Sequence, residues 1–258
     1  MNEIDAILLR FFNGCAGRSW WFDSVVALAI ANDLIKSAPI GGCFFAAWYG
    51  RGALANPRVR RVLLLTLIAG VCTLATTTAI SHVTLVPRPY LRAHKVYELR
   101  QTELRELPRL ATRSGLDNRS RQRDADSDVG NIPPNDLRAF PSDHAGFFFC
   151  ISLGICLAAP RIGAAAMAWT LLLILGGKMV TGMHAPSDIA VGCLVGAAWL
   201  ALWWKACWTR LDAISERIVA IANRRPGLSA AILFIALFEI ASTFDHVKAL
   251  ASAVAKHV

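Results

Sequence analysis

Charged residues are scarce in this chain of 258 residues. They make up 17% of the sequence, while hydrophobic residues make up 55%. A soluble domain carries about 25% charged residues. The charges that are present cluster between long apolar runs, which is typical of polytopic membrane proteins. The composition therefore excludes an ordinary soluble domain and predicts an all-α, polytopic membrane helical bundle.

Three common sequence signatures are also missing. The seven cysteines form no CxxC pair and mostly fall in apolar runs, so we expect small packing residues and not metal ligands or disulfides. The first twenty residues lack the basic start, apolar core and cleavage site of a removable signal peptide, and none is expected. The net charge of +9 is not accompanied by a basic stripe interleaved with aromatic residues, so we expect anionic membrane lipids as partners and no nucleic acid.

Apolar runs predict about six transmembrane helices, because each run is close to the ~20 residues that cross a bilayer. The first run is interrupted by Asp33, Lys36 and Pro39. The predicted spans are residues 35–49 (entered through residues 22–32), 62–86, 144–160, 163–181, 188–204 and 228–244.

The spans divide the chain into three parts. Residues 1–33 are predicted to be an interfacial segment, in which residues 4–12 form an amphipathic helix on the membrane surface. Residues 34–206 form the membrane core, with an insertion at residues 90–140 whose part from 112 to 135 is expected to be mobile. Residues 207–258 form a loop and an additional transmembrane helix, where Glu239 is an intramembrane acid and therefore a candidate functional residue.

Arginine and lysine predict the orientation. They are concentrated in the loops between spans one and two, three and four, and five and six. These three loops fall on one side, which the positive-inside rule assigns to the cytosol. The insertion at residues 90–140 then lies on the extracytoplasmic side of the membrane.

Polar residues converge at the outer ends of four spans. Charged groups at a membrane edge are costly unless they are paired or functional. Because these residues are predicted at the same depth in the membrane, they indicate a functional site. The residues predicted at this level are Arg88, Ser142, Asp143, His144, Lys178, His184 and Asp188.

Their chemistry favours phosphate. Arg88 and Lys178 are the cations that bind phosphate oxygens, and Ser142 begins a helix, where a hydroxyl and free amides can do the same. His184 and Asp188 are four residues apart, so on a helix Asp188 can fix the tautomer of His184. His144 remains to protonate the departing oxygen. Two structural alternatives stay open: the cations could be interfacial anchors, and the histidine–aspartate pair could be purely structural.

Three motifs in order resemble the type 2 phosphatidic acid phosphatase superfamily over about residues 34–204. They are Arg88-Pro89, then Pro141-Ser142-Asp143-His144, then Gly177-Lys178-x-x-x-Gly182-x-His184-x-x-x-Asp188.

The resemblance implies a role for each motif residue. His184 attacks phosphorus and forms a phosphohistidine, Asp188 orients it, and His144 is the general acid. Neither a metal nor another cofactor is implied. The phosphoryl oxygens are held by Arg88, Lys178, Ser142 and the backbone at Asp143.

Three positions depart from the family pattern. Ser81 replaces a lysine seven residues before Arg88, Lys178 replaces an arginine, and Asp143 replaces a glycine. The first and third departures are similar to the bacitracin-resistance type of undecaprenyl-diphosphate phosphatase. That resemblance implies hydrolysis of undecaprenyl diphosphate to the monophosphate for cell-wall assembly, in a bacterial plasma membrane, with the active site facing the periplasm or exterior.

Other functions remain open at this stage. The substrate could be phosphatidylglycerophosphate, phosphatidate or lipid A, and the enzyme could be a lipid phosphotransferase. Ser81 and Lys178 favour a third alternative, a non-catalytic binder or transporter of lipid phosphates. The superfamily that the motifs resemble also contains vanadium haloperoxidases, but such an enzyme is not expected, because those relatives are soluble. The sequence does not indicate an oligomeric state.

Overall fold

The computed structural model describes residues 2–50, 56–91, 97–100, 103–106, 137–207 and 212–241. Helices dominate these ranges, and polar side chains fix several of their starts. Asn2, Asn32, Asn56 and Ser142 each accept a backbone N–H in the first turn of the helix that follows. The predicted all-α helical bundle is confirmed. The helices are α1 (Glu3–Asn13), α2 (Trp20–Ala31), α3 (Asp33–Tyr49), α4 (Pro57–Thr84), α5 (Asp143–Ala158), α6 (Pro160–Val180), α7 (Pro186–Cys207), α8 (Asp212–Arg224) and α9 (Pro226–Ala241).

Three to five candidate membrane spans are found in the described ranges. Helix α4 with its continuation to Leu91, α6 and α7 are each long and apolar enough to cross a bilayer. The pair α2 and α3, bent by 77°, and the pair α8 and α9, bent by 118°, bring the number to five if each is one span. Helix α5 is also apolar but has 16 residues. The sequence predicted about six spans; the first and last of them correspond to the two bent pairs.

Asn32 causes the break between α2 and α3. Its Oδ1 accepts hydrogen bonds from the backbone N–H groups of Leu34 (3.0 Å) and Ile35 (3.2 Å). Its backbone is extended, with φ of −105° and ψ of 112°, so α2 ends there and a new helix begins. The segment expected to lead into the first span is therefore a separate helix.

Glycines allow α5 and α7 to approach closely. A Cβ atom at Gly192 would lie 2.4 Å from the carbonyl oxygen of Ser142, and one at Gly196 would lie 2.5 Å from that of Gly146. Small residues at such crossings permit backbone contact between membrane helices. As a result the starts of the two helices meet, and the N–H of Ser142 donates to the carbonyl of Asp188 at 3.0 Å.

Helix α6 changes its winding before it reaches the site. It is π-helical over Thr170–Leu175 and α-helical again over Gly176–Val180. The hydroxyls of Ser152 on α5 and Thr170 are 2.7 Å apart, so a buried hydrogen bond joins the two helices where the winding changes. Such π-helical segments occur frequently near functional sites, and this one precedes the turn that carries Lys178.

The two ends of the bundle differ in chemistry. Helices α4 and α6 end, and α5 and α7 begin, at the end that carries the predicted site residues. At the other end, Arg60 is 2% exposed and donates from Nε to the carbonyl of Trp48 (3.0 Å) and from Nη1 to Oδ1 of Asn223 (2.5 Å). This arginine therefore joins α3, α4 and α8. Which end faces the cytosol stays a prediction.

The predicted insertion contributes a hairpin. Strands β1 (Tyr97–Arg100) and β2 (Glu103–Glu106) pair antiparallel, with Tyr97 opposite Glu106. The segment at residues 112–135, expected to be mobile, lies outside the described residues. Glu239 belongs to α9, but its side chain also lies outside them.

Candidate active site

His184 lies in a short loop between α6 and α7. The loop turns at Gly182, whose φ of +65° is in the left-handed region that favours glycine. The carbonyl of Gly182 accepts the N–H of Tyr90 at 3.1 Å, which joins the loop to the segment just after Arg88. His184 itself is 2% exposed. The third sequence motif is thus in backbone contact with the residue that follows the first motif.

The imidazole of His184 is oriented by a backbone group. Its Nδ1 lies 2.8 Å from the carbonyl oxygen of Ala139, and the N–H of Ala139 donates to the carbonyl of Val86 at 2.9 Å. A carbonyl can only accept, so Nδ1 carries the proton and Nε2 keeps its lone pair. Burial and the positive charge of Lys178 lower the pKa of His184 to about 4, so the ring is neutral at neutral pH. Ala139 cannot be recognised in the sequence, since its contribution is a main-chain oxygen.

Asp188 supports the same loop from the first turn of α7. Its Oδ2 accepts the N–H of Ala185 at 2.8 Å and lies 3.8 Å from Nδ1 of His184. The aspartate is therefore beside the imidazole, as its spacing predicts, while the shorter contact to the ring belongs to Ala139. The predicted role of Asp188 in orienting His184 stays a prediction.

His144 is paired with its neighbour in the sequence. Its Nδ1 lies 2.8 Å from Oδ1 of Asp143, which also accepts the backbone N–H of His144 at 2.6 Å. Because a carboxylate accepts, this contact leaves Nε2 of His144 as the atom that can exchange a proton with a substrate. The sequence assigned the backbone of Asp143 to phosphate, and its side chain is engaged with the expected general acid.

The hydroxyls of Ser142 and Ser81 bond within their own helices. Ser142 is fully buried, and its Oγ accepts the N–H of Ala145 at 3.4 Å. The Oγ of Ser81 donates to the carbonyl of Thr78 at 2.9 Å. Phosphate binding by Ser142 therefore stays a prediction, and Ser81 takes a helical role at the position where the family pattern has a lysine.

Positive charge gathers around the two histidines. Lys178 is 4% exposed, and no carboxylate of a described residue lies within ion-pair distance of its ammonium group. Arg88 interacts electrostatically with both Lys178 and His184. Asp143 also interacts with Lys178 and His184, so the motifs share one electrostatic environment. Such a cluster suits a phosphoryl group, whose oxygens carry the opposite charge. In the described ranges, no group of three His, Cys, Asp or Glu residues is placed to hold a metal ion.

Helix α1 holds both ends of the His184 loop. The carboxylate of Asp5 accepts the backbone N–H of Ser187 (2.9 Å) and its hydroxyl (2.7 Å). At the other end of α1, Nδ2 of Asn13 donates to the carbonyl of Val180 at 2.7 Å. The opposite face of the helix exposes apolar residues, and its predicted location at the membrane surface stays a prediction. These residues are Ile4, Ile7, Leu8 and Phe11.

A cavity of about 230 Å³ adjoins the loop. It is smaller than the roughly 300–1,000 Å³ of sites that enclose a drug-sized ligand. Asp188 is the one predicted site residue among those described residues that line it. The lining residues are Asn2, Asp5, Val86, Pro87, Pro89, Phe140, Ala185, Ser187 and Asp188.

Comparison with known families identifies one match. The family model of the PAP2 superfamily matches residues 59–212, which is more than half of the chain. No curated protein and no solved structure matches. The matched range includes all seven predicted site residues, whereas α1, α2 and α3 precede it.

Proposed function

The chain belongs to the PAP2 superfamily, and from this premise we propose that it is a membrane phosphatase that hydrolyses a polyprenyl diphosphate to the monophosphate. Members of the superfamily are phosphatases that act on phosphate esters, often of lipids. Several helices are apolar enough to cross a membrane, which indicates a membrane protein. Undecaprenyl diphosphate is the proposed substrate because Ser81 and Asp143 are similar to one phosphatase subgroup. The proposed location is a bacterial plasma membrane, with the site on the outer face.

One observation supports catalysis above the others. The proton of His184 is held on Nδ1 by the carbonyl of Ala139, which leaves the Nε2 lone pair of a neutral imidazole available for attack. Nearby, Lys178 and Arg88 supply positive charge for a phosphoryl group. A nucleophile with a fixed tautomer beside two cations is the arrangement that phosphoryl transfer through a covalent intermediate requires.

The proposed reaction has two steps. Nε2 of His184 attacks the terminal phosphorus, an N–P bond forms, and the bond from phosphorus to the bridging oxygen breaks. The electron pair of that bond stays on the bridging oxygen, which takes the Nε2 proton of the positively charged form of His144, so the lipid monophosphate departs and His144 becomes neutral. Water then gives a proton to His144 and attacks the phosphohistidine, which releases inorganic phosphate and regenerates both histidines.

A lipid substrate agrees with the location of the site. The residues lie at one end of a helical bundle whose apolar side chains include the exposed Leu172, Leu194 and Leu202. A lipid tail can remain in the bilayer while its headgroup enters the polar end from the side.

A non-catalytic lipid-phosphate binder remains the second candidate. Its support is Ser81, whose hydroxyl bonds within its own helix where the family pattern has a lysine. Such a protein would retain the cations but release no phosphate. Hydrolysis that depends on His184 therefore separates the two candidates.

The test is phosphate release by the purified full-length protein in detergent with a chelator. The panel contains undecaprenyl diphosphate, phosphatidylglycerophosphate, phosphatidate and lipid A, each with and without an acceptor lipid. We expect the fastest release from the diphosphate, loss of that release in His184→Ala, and no loss in His82→Ala, which changes an exposed histidine of α4. Release that persists in His184→Ala would overturn the mechanism. Faster release from another lipid would replace the proposed substrate, and transfer of the phosphoryl group to the acceptor lipid would replace hydrolysis by phosphotransfer.

A further inference from the structure

Lys36 is a buried cation that the motifs do not include. It lies in the first turns of α3, before the range that the family model matches, and is 8% exposed. Its ammonium group forms an ion pair with Oδ1 of Asp33 at 2.6 Å. The side chain of Asp33 is 57% exposed, so water screens much of the negative charge that it offers. A buried ammonium with a largely hydrated partner is costly unless another anion meets it.

The packing of α2 and α3 places Lys36 beside the site. The carbonyl of Lys36 accepts a hydrogen bond from Nε1 of Trp169 on α6 at 3.3 Å. Ile30, near the end of α2, packs against Gly177 of α6. A Cβ atom at Gly177 would lie 2.8 Å from the side chain of Ile30. The junction of α2 and α3 is therefore packed against the turn of α6 that carries Lys178.

Lys36 adds to the charge around the expected acid. It interacts electrostatically with both Lys178 and His144. The two carboxylates that interact with Lys178 are already paired, because Asp143 bonds to His144 and Asp33 bonds to Lys36. Two buried ammonium groups near His144 thus repel one another, and a bound anion would relieve that repulsion.

We propose that Lys36 binds the second phosphate of a lipid diphosphate, the one that departs with the lipid. The inference rests on the proposed function, in which His144 protonates the bridging oxygen. The charge of Lys36 acts on His144, beside the group that leaves, whereas Lys178 acts on both histidines and Arg88 acts on the nucleophile His184. The charge that builds on the leaving phosphate as the bridging bond breaks is met by Lys36. The site therefore distinguishes diphosphates from ligands that carry a single phosphate.

The experiment compares two ligands, of which only one carries the second phosphate. The first readout is kcat/KM for farnesyl diphosphate; the second is the inhibition constant of inorganic phosphate, which fills the position of the transferred group alone. Lys36→Met should lower kcat/KM about tenfold to hundredfold, the usual range for loss of one charged hydrogen-bond partner. It should leave the inhibition constant of phosphate within about threefold, because Arg88 and Lys178 remain.

Two further variants control the comparison. Lys36→Arg keeps the charge and should retain kcat/KM within about fivefold. Lys205→Met removes an exposed lysine at the other end of the bundle and should change neither readout. Thermal unfolding of each variant is measured in the same detergent to establish that the compared proteins are folded.

The outcomes separate this inference from the proposed function. A selective loss in Lys36→Met that Lys36→Arg restores supports it. Equal losses in both readouts, no loss in either, or a collapse in Lys36→Arg would overturn it. Hydrolysis of a lipid monophosphate but not of the diphosphate by the unchanged protein would overturn the inference and leave a lipid phosphatase. Hydrolysis of neither would overturn the proposed function itself.

Discussion

The carbonyl oxygen of Ala139 lies 2.8 Å from Nδ1 of His184, whereas the nearest carboxylate oxygen of Asp188 is 3.8 Å away. Ala139 is fully buried, and its own N–H donates to the carbonyl of Val86. A single residue with no polar side chain therefore connects the segment that precedes Arg88 to the expected nucleophile. Because the backbone cannot change its protonation state, this contact fixes the tautomer of His184 independently of Asp188.

That independence leads to the first prediction. Asp188→Asn should lower kcat about tenfold to hundredfold, the effect of removing a charged hydrogen-bond partner, because Ala139 still orients the ring. His184→Ala should abolish phosphate release, since it removes the nucleophile. Steady-state assays of both variants on one lipid substrate measure the difference. Equal and complete losses would mean that Asp188, not Ala139, controls the imidazole.

The second prediction concerns pH. Burial and the charge of Lys178 lower the pKa of His184 from its ordinary 6.5 to about 4. Protonation removes the Nε2 lone pair, so activity is lost as the pH falls through this pKa, and kcat/KM reports it in the free enzyme. We expect the acid limb of the kcat/KM profile to lie near this lowered pKa and not near 6.5. An acid limb near 6.5 would contradict the burial of His184.

Folding must be followed in the same pH series. The unfolded chain takes up a proton on His184 near its ordinary pKa of 6.5, and the folded chain does so only near 4. The unfolded state therefore binds more protons between these values, and this contribution to the free energy of unfolding decreases as the pH falls below about 6.5. Circular dichroism at each pH separates loss of structure from protonation of the nucleophile.

The third prediction concerns Lys178. Arginine at this position keeps the positive charge and adds a planar group that binds two phosphate oxygens at once. Activity in Lys178→Arg should therefore persist or rise, while Lys178→Met should lose at least about a hundredfold in kcat/KM because a buried charge next to the phosphoryl group is gone. If Lys178→Arg collapses while it remains folded, Lys178 does not bind phosphate.

The fourth prediction concerns α1, which lies outside the range matched by the family. The carboxylate of Asp5 accepts two hydrogen bonds from Ser187 at the start of α7. Asp5→Ala removes both bonds, each worth about 1.5–3 kcal/mol when one partner is charged, and should free the His184 loop. We expect faster hydrogen exchange in residues 181–187 and a lower kcat.

Glu3→Ala is the matched control for α1. Glu3 is an acidic residue of the same helix, and it is exposed. Its substitution changes the net charge by the same amount but breaks no contact with the loop. Unchanged exchange in Asp5→Ala, or the same change in both variants, would show that α1 does not hold the loop.

The sequence predicted those features that depend on local pattern. Apolar runs predict the long helices. The spacing of His184 and Asp188 predicts that they are close if both are helical; they are 3.8 Å apart, but His184 lies in the loop before α7. Ser142 was correctly expected where a helix begins, because a serine side chain can accept an N–H in the first turn. These predictions succeed because each rests on neighbouring residues.

The contacts that the sequence does not predict join residues that are far apart in the chain or that act through the backbone alone. Ala139 acts through its carbonyl, which every residue has. Asp5 and Ser187 are 182 positions apart, and no periodicity connects them. In the sequence, Lys36 only interrupts an apolar span, because the packing of α3 against α6 is needed to show which charges surround it. The bend at Asn32 depends on its side chain turning back onto α3.

Trapping of the covalent intermediate tests the central claim most directly. The full-length protein is mixed with farnesyl diphosphate labelled at the terminal phosphorus, quenched within milliseconds to seconds, and digested for mass spectrometry. The account predicts an acid-labile, base-stable phosphoryl group on His184 that is absent from His184→Ala and present in His82→Ala. Release of phosphate with no labelled histidine, or with the label on a different residue, would contradict it.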